Sequence, residues 1–520
     1  MGFAIGTFNE PYVGNINEHI RDQVDDIMGR SEVGAPFDSL FENCLLECDW
    51  EDAMKEHRDV NESERHLGGA RWYQFQAAIK TLLIKRQLLA DECGLGKTVE
   101  VCIFVNLLHM IPNGEVPTFI VCAPDAIVAK QWQKALLKFC GLYFPIIGAS
   151  DVEGYKDSVL NGHGCIVNHK MLSNHNSALA DTALGGCMTR KVAFILDESA
   201  CVKNRKSLTY QRMQIFAQHV EYLVMCNATA YEMQLEDMFT QFNLLEPEIL
   251  HNVTWMRNHY VTMGKRKIWK GRGKYIEAWT PIGYHDQDAF RVRVKWWFIS
   301  RGRKELGLEE EDWSTVDITA HIVDLSDEQK AYCKSHKSKS NWDEALNCPM
   351  MLDGCGLTLD GSPKVEEFCR VYGAPGVTGV MVYCFHIRTC DYLADRLRSL
   401  GKSVGVINGS TKPSDRLAAV EGFNSGTVDI LITNTVKGMD LDGGSGVVIM
   451  SPLGNPARVL QVLSRIRRGT SDAGKTFDIF CYRTWELGLY KNAFESARMM
   501  CDFQGTRNEF LLNVLGKLNA

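Results

Sequence analysis

The stretch Ala90-Asp91-Glu92-Cys93-Gly94-Leu95-Gly96-Lys97-Thr98 constrains this chain more than any other. Two short apolar runs precede it, Leu82-Leu83-Ile84 and Leu88-Leu89-Ala90, of the kind a strand buried on both faces produces. Behind it, Val99 to Met110 is apolar at helical spacing and free of Gly and Pro. The spacing predicts strand, glycine turn, helix. That arrangement aims backbone N–H groups and the positive end of a helix dipole into one small space, which suits a polyphosphate. Gly94 and Gly96, with Leu95 between them, let the backbone come close without an obstructing Cβ. Lys97 would reach the β/γ-phosphates and the Thr98 hydroxyl would ligate Mg²⁺. The usual loop reads G-x-x-x-x-G-K-[ST], and here Asp91 stands in the place of its first Gly.

A length of 520 residues makes room for roughly three domains. The net charge is −7, so any surface for a polyanion must be local. No apolar run approaches the ~18 residues of a membrane helix, and the N-terminus carries no export signal, so a cytoplasmic protein is expected. The 18 Cys lie in apolar stretches such as Val101-Cys102-Ile103, as free core thiols do. Cys44-x₃-Cys48 and Cys384-x₅-Cys390 have no matching second pair, so no structural zinc is expected.

Residues 1–66 form an acidic region, with 15 Asp/Glu against 5 Lys/Arg between Glu18 and Arg65, expected to be a small set of helices with a solvated face. Residues 67–249 alternate strands and helices, the pattern of a doubly wound parallel sheet. In that segment Gln74 could read an adenine edge with its amide. The strand Lys191 to Leu196 delivers Asp197 and Glu198 at its carboxyl end, the edge where open α/β sheets bind ligands. Asp197 suits Mg²⁺ and Glu198 suits the orientation and deprotonation of an attacking water. Residues 250–315 read as a basic aromatic insertion and connector, with 13 Lys/Arg against 4 Asp/Glu over 250–305. Lys265, Arg266, Lys267, Trp269, Lys270 and Arg272 are its candidates for a phosphate backbone and stacked bases, against the alternative of a solvated insertion with inward aromatics. Residues 316–363 read as a linker region, 364–500 as a second parallel-sheet lobe and 501–520 as a C-terminal tail. In the second lobe Gln461, Arg465 and Arg468 are expected on one helix, the guanidiniums three residues apart. Such a pair suits neutralisation of a γ-phosphate held elsewhere.

Placed in order, these pieces resemble the superfamily 2 helicase-type ATPases, and within them the Swi/Snf-like DNA translocases. Arg71-x-Tyr73-Gln74 is similar to that family's adenine-reading motif, and Asp91 to Thr98 to its phosphate loop, including the Asp. Ile120 to Pro124 with Trp132, Asp197-Glu198-Ser199-Ala200, and Asn227 to Ala230 resemble motifs Ia, II and III. Ser300 to Leu306 resembles the basic connector between lobes. Asn408-Gly409-Ser410, Thr433 to Asp440 and Gln461 to Arg468 resemble motifs IV, V and VI. The match runs over about 68–482. It departs at Ser199-Ala200, where Ala/Gly-His is usual.

The resemblance implies two RecA-like lobes that close on ATP and Mg²⁺, with DNA across both. It adds Gly438 and Asp440 to the nucleotide site and Thr433 to the DNA contacts. Double-stranded DNA is the favoured partner, single-stranded DNA or RNA remaining open, in a bacterial or phage-infected cell, or in a nucleus if the source is eukaryotic. The rival readings are a strand-separating or branch-migrating helicase with the same motor, and an ATP-gated nucleic-acid scaffold without turnover.

Overall fold

A computed structural model describes residues 71–110, 116–148, 151–173, 190–228, 235–269, 275–303, 305–306, 317–336, 362–435, 439, 441, 443–466, 474–483, 485–504 and 509–518. The acidic region 1–66 lies outside them. Among the described residues no helix is long and apolar enough to cross a membrane.

The chain divides into two compact units. The first runs through Tyr231, with 235–259 and 288–301 returning to it; the second comprises 260–287 and the chain from 302 onward. In the first unit, β1 (Arg86–Leu89), β2 (Thr118–Ala123), β3 (Cys165–Asn168), β4 (Val192–Asp197), β5 (Tyr222–Cys226) and β8 (Phe298–Ile299) make one sheet in the order β3-β2-β4-β5-β1-β8. Every neighbouring pair is parallel. Their apolar runs are buried on both faces, as helix-covered parallel sheets require.

The run Leu82-Leu83-Ile84 is not a strand. It is the last turn of helix α1 (Trp72–Ile84), closed by Lys85 at φ +64° with its N–H on Thr81 O at 2.9 Å. Phe75, Ala78, Ile79 and Leu82 recur at i, i+3, i+4 and i+7 and are buried together, a helical stripe that outweighs the three-residue apolar run.

The second unit repeats the plan. β9 (Asp317–Val323), β10 (Val380–Tyr383), β11 (Val404–Ile407), β12 (Ile430–Thr433), β13 (Gly446–Ile449) and β14 (Thr476–Tyr482) lie in the order β11-β12-β10-β13-β14-β9, again all parallel. Two stretches depart from the expected division. β8, from the expected insertion, completes the first sheet, and β9, from the expected linker, completes the second. Both are edge strands; one is only two residues long and the other has no fully buried position, so neither carries a long apolar run to read. The expected tail also belongs to the core, since Leu511, Val514, Leu515 and Leu518 are buried against the second sheet's cluster. Between the sheets in sequence, β6 (Val261–Trp269) and β7 (Tyr275–Tyr284) form a separate antiparallel ribbon.

Candidate active site

The carboxyl edge of the first sheet gathers the chemistry. Pairing aligns Asp197, Cys226 and Leu89 in one row across β4, β5 and β1. The acidic pair that ends β4 and the glycine turn that follows β1 therefore emerge side by side, with β5 between them.

Gly94 and Gly96 adopt φ +88° and +89°, values an L side chain resists. A Cβ at Gly96 would also collide with Gln74 Nε2. Helix α2 (Lys97–Met110) begins at Lys97, whose Nζ donates to Asp91 O at 2.5 Å and Glu92 O at 3.4 Å, across the mouth of the turn. Tyr73 Oη and Gln74 Nε2 both donate to Leu95 O, at 2.9 and 2.8 Å, while Gln74 Oε1 accepts from the Arg71 N–H at 2.8 Å. The amide expected to read adenine thus clamps the phosphate loop with one end and its own helix start with the other. Thr98 follows in the first turn of α2.

Asp91, in the first-glycine position, is fully buried. Arg301, 210 residues further on, holds it with a fork: Nε lies 3.0 Å and Nη2 2.6 Å from Oδ2, and the Arg301 N–H donates to Oδ1 at 2.9 Å. The same guanidinium donates to Tyr73 O and Gln76 Oε1, both at 2.8 Å, and lies 5.3 Å from the Tyr73 ring centroid. Glu100, also fully buried, comes within 3.5 Å of Nη2. Burial first, then repulsion from Asp91, holds the Glu100 carboxyl well above the usual carboxylate range. A carboxylate replaces glycine here because it is the anchor that ties the loop, α1 and β8 together.

Asp197 Oδ2 accepts from Nε1 of Trp132, on helix α3 (Ala126–Cys140), at 2.9 Å, and Oδ1 from the Glu198 N–H at 2.9 Å. Burial, then the charge of Glu198, lifts the Asp197 carboxyl to about 6 against those two donors. His169 Nε2 donates to Asp197 O at 2.8 Å and so fixes the strand end from β3's side. Glu198 sits at φ +50°, ψ +56°, a left-handed conformation costly for a non-glycine residue and concentrated at functional sites. Where the usual motif has other residues, Ser199 is buried and its Oγ donates to Gln241 Oε1 at 2.6 Å on helix α4 (Glu236–Leu245). This donor set suits a magnesium nucleotide: turned-in glycines, a lysine, a hydroxyl and a carboxylate converge on one sheet edge.

In the second unit, Thr433 is buried at the end of β12, its Oγ1 donating to Thr435 O at 3.0 Å and accepting from the Thr435 N–H at 3.0 Å. Helix α5 (Pro456–Leu463) carries the buried Gln461 but ends before the arginines. Arg465 follows in a turn, its N–H on Val462 O at 3.2 Å and Nη1 on Met439 O at 3.3 Å. The expected helical i, i+3 pairing of Arg465 with Arg468 is therefore replaced, at Arg465, by a turn. Arg468, Gly438 and Asp440 lie outside the described residues, as do Lys270 and Arg272 and the side chains of Arg266, Lys267 and Trp269. Lys265 is exposed on β6.

Arg301, Glu100 and the Tyr73 hydroxyl were not among the residues singled out for the nucleotide site. One signal pointed to the first of them. A carboxylate inside a phosphate loop is costly to bury without a cation, so Asp91 asked for a basic partner from elsewhere in the chain.

Comparison with known proteins gives two successive matches. The model of the SNF2-related domain matches residues 73–278, and that of the helicase conserved C-terminal domain matches 364–470. Chromodomain-helicase-DNA-binding protein 1-like from Danio rerio is 22% identical over 83% of this chain and 43% of its own length. The SWI/SNF chromatin-remodeling complex subunit snf22 from Schizosaccharomyces pombe is 21% identical over 87% of this chain and 29% of its own. The chain thus spans less than half the length of these curated relatives. Among solved structures, the Sulfolobus solfataricus SWI2/SNF2 ATPase core in complex with dsDNA aligns over 86% of this chain and 94% of that one, at 15% identity and a TM-score of 0.38. The chain thus pairs an SNF2-related domain with a helicase conserved C-terminal domain in that order, the domain set of superfamily 2 helicase-type ATPases.

Proposed function

We propose that the chain is an ATP-driven motor that translocates on double-stranded DNA. The observation that carries the reading is the row Leu89–Cys226–Asp197, which brings the Lys97 loop and the acidic pair to one sheet edge. Magnesium-bound ATP supplies the bond that is broken. Gly94, Leu95, Gly96 and Lys97 cradle its phosphates, Thr98 and Asp197 hold the metal, and Glu198 orients the attacking water and takes its proton. Gln74 exchanges its contact with Leu95 for the adenine edge. Arg465 and Arg468, with Gln461, Gly438 and Asp440, complete the site from the second lobe and neutralise charge that develops on the transferred phosphoryl group. Arg465 supports this role with a buried Nε that has no hydrogen-bond partner among the described residues.

The test is ATP hydrolysis by the full chain with and without duplex DNA. Stimulation by the duplex, lost in Lys97→Ala, supports the motor. Equal rates with and without nucleic acid overturn it, and stimulation only by single strands or RNA redirects it to a strand-separating helicase.

A further inference from the structure

Among the described residues, four that are not glycine have a positive φ: Lys85, Glu198, His251 and Asp286. Lys85 closes a helix, and His251 and Asp286 lie in exposed connections. Of the four, Glu198 follows β4 at the carboxyl edge of the first sheet. A non-glycine residue stays in that conformation only where its surroundings over-determine it. Before Glu198, the His169 ring holds Asp197 O at 2.8 Å. After it, Ser199 Oγ donates to Gln241 Oε1 at 2.6 Å, a bond to a residue 42 positions on. Glu198 O itself accepts only a local bond, from the Cys201 N–H at 3.2 Å.

The acceptor is held as firmly as the donor. Gln241 Nε2 donates to Asp237 O, one turn back on α4, at 3.3 Å, which turns Oε1 toward Ser199. Helix α4 is tied at its start by Glu236 Oε1, which accepts from Arg257 Nε at 2.9 Å. Near its end Asn243 Oδ1 accepts from Tyr210 Oη at 2.7 Å, on the helix Leu208–His219. Ser199 and Gln241 are both buried. An apolar pair would fill that space without the cost of burying a hydroxyl and an amide, so the polar pair is informative through what it positions.

We propose that Ser199 and Gln241 are positioning residues for hydrolysis, holding Glu198 in its left-handed conformation so that its carboxylate meets the attacking water. The inference rests on the reading of Glu198 given above and deepens it. The phosphate loop and Asp197 have their own supports, so loss of the Ser199 bond leaves nucleotide binding intact and slows the chemical step.

The test compares the full chain with Ser199→Ala, Gln241→Met and the double variant Ser199→Ala/Gln241→Met, by steady-state hydrolysis, by titration with a fluorescent ATP analogue and Mg²⁺, and by thermal melting. Each single variant leaves one buried polar partner behind and lowers Tm; the double variant removes both and recovers most of it. In all three kcat falls by about 10- to 100-fold while nucleotide affinity stays as in wild type. A fourth comparison, by single-turnover hydrolysis, places Ser199→Ala in a Glu198→Gln background. There it costs no further rate, because Ser199 acts through the group already removed. Recovery of kcat together with Tm in the double variant overturns the proposal, since the pair would then serve stability alone. A wild-type kcat in Ser199→Ala, or an undiminished loss in the Glu198→Gln background, overturns it as well. The two readings fail separately. If wild type hydrolyses ATP without stimulation by duplex DNA, the motor reading falls and the positioning role is decided on the basal rate. If wild type is stimulated and Ser199→Ala matches it, only the positioning role falls.

Discussion

Among the described residues each lobe buries a strong ion pair, and the two pairs serve different ends. In the first lobe Arg301 grips Asp91 inside the phosphate loop, and the same guanidinium spans Tyr73, Gln76 and Glu100. In the second lobe Lys364 and Glu486 are both fully buried and lie 3.4 Å apart. Lys364 sits 4.6 Å from the Tyr482 ring centroid, and Glu486 accepts from the Tyr482 N–H at 2.8 Å. The first pair fixes the loop proposed to hold phosphate; the second, through Tyr482, ties helix α6 (Trp485–Gln504) to β14. Burying two charges is seldom the cheapest route to stability, so a pair is informative mainly through what else it positions.

Substitutions separate the two roles. Arg301→Ala should have the largest effect. It strands Asp91 without its cation and releases Tyr73 and Gln76, at a cost toward the upper end of about 3–5 kcal/mol. Urea denaturation should show that loss together with weakened ATP binding in the molecules that remain folded. Lys364→Ala should cost a similar or slightly smaller amount, about 3 kcal/mol, by leaving Glu486 charged and buried. Here ATP affinity per folded molecule should be unchanged; a parallel loss of affinity would erase the distinction between the two pairs. A smaller effect is expected when Lys364→Met is combined with Glu486→Gln. The glutamine still accepts from the Tyr482 N–H and no charge remains buried, so stability should return to within about 1–2 kcal/mol of wild type. The matching exchange of Arg301→Met with Asp91→Asn should not restore ATP binding, because the fork to Tyr73 and Gln76 is lost with it.

The smallest effect depends on pH. In the second lobe His321 is stacked on Phe480, with ring centroids 4.2 Å apart, between the carboxylates of Asp478 and Glu367 at 3.1 and 3.4 Å. Burial pulls its pKa down, but hydrogen bonds and charge from Asp478, then Glu367, outweigh it and leave the value raised. A raised folded pKa makes the contribution fully present below the unfolded value of about 6.5 and removes it as pH climbs through the folded value. Second-lobe stability should therefore decline over that neutral window, and His321→Gln should flatten the slope. A variant that keeps the wild-type slope would assign it to another group.

The sequence made the contiguous features legible. The glycine turn, Lys97-Thr98 and Asp197-Glu198 each lie at the junction of a buried apolar run with a polar end, and such junctions are written within a dozen residues. Element type failed where a short run stood alone, as at Leu82 to Ile84, and where a helix was extended through residues that turn, as at Arg465. The edge strands β8 and β9 were hidden because a strand of two residues or one with half-exposed faces has no long apolar pattern.

What the sequence alone determined is the chemistry available to this protein and the order in which the chain supplies it, because hydrophobic periodicity and turn residues act locally. What only the tertiary structure decided is which distant groups are partners. Arg301 for Asp91, Gln241 for Ser199 and His169 for the Asp197 carbonyl are separated by up to 210 residues. Pairings of that kind follow from strand order and register, which bring charged and polar ends to one edge where burial forces them together.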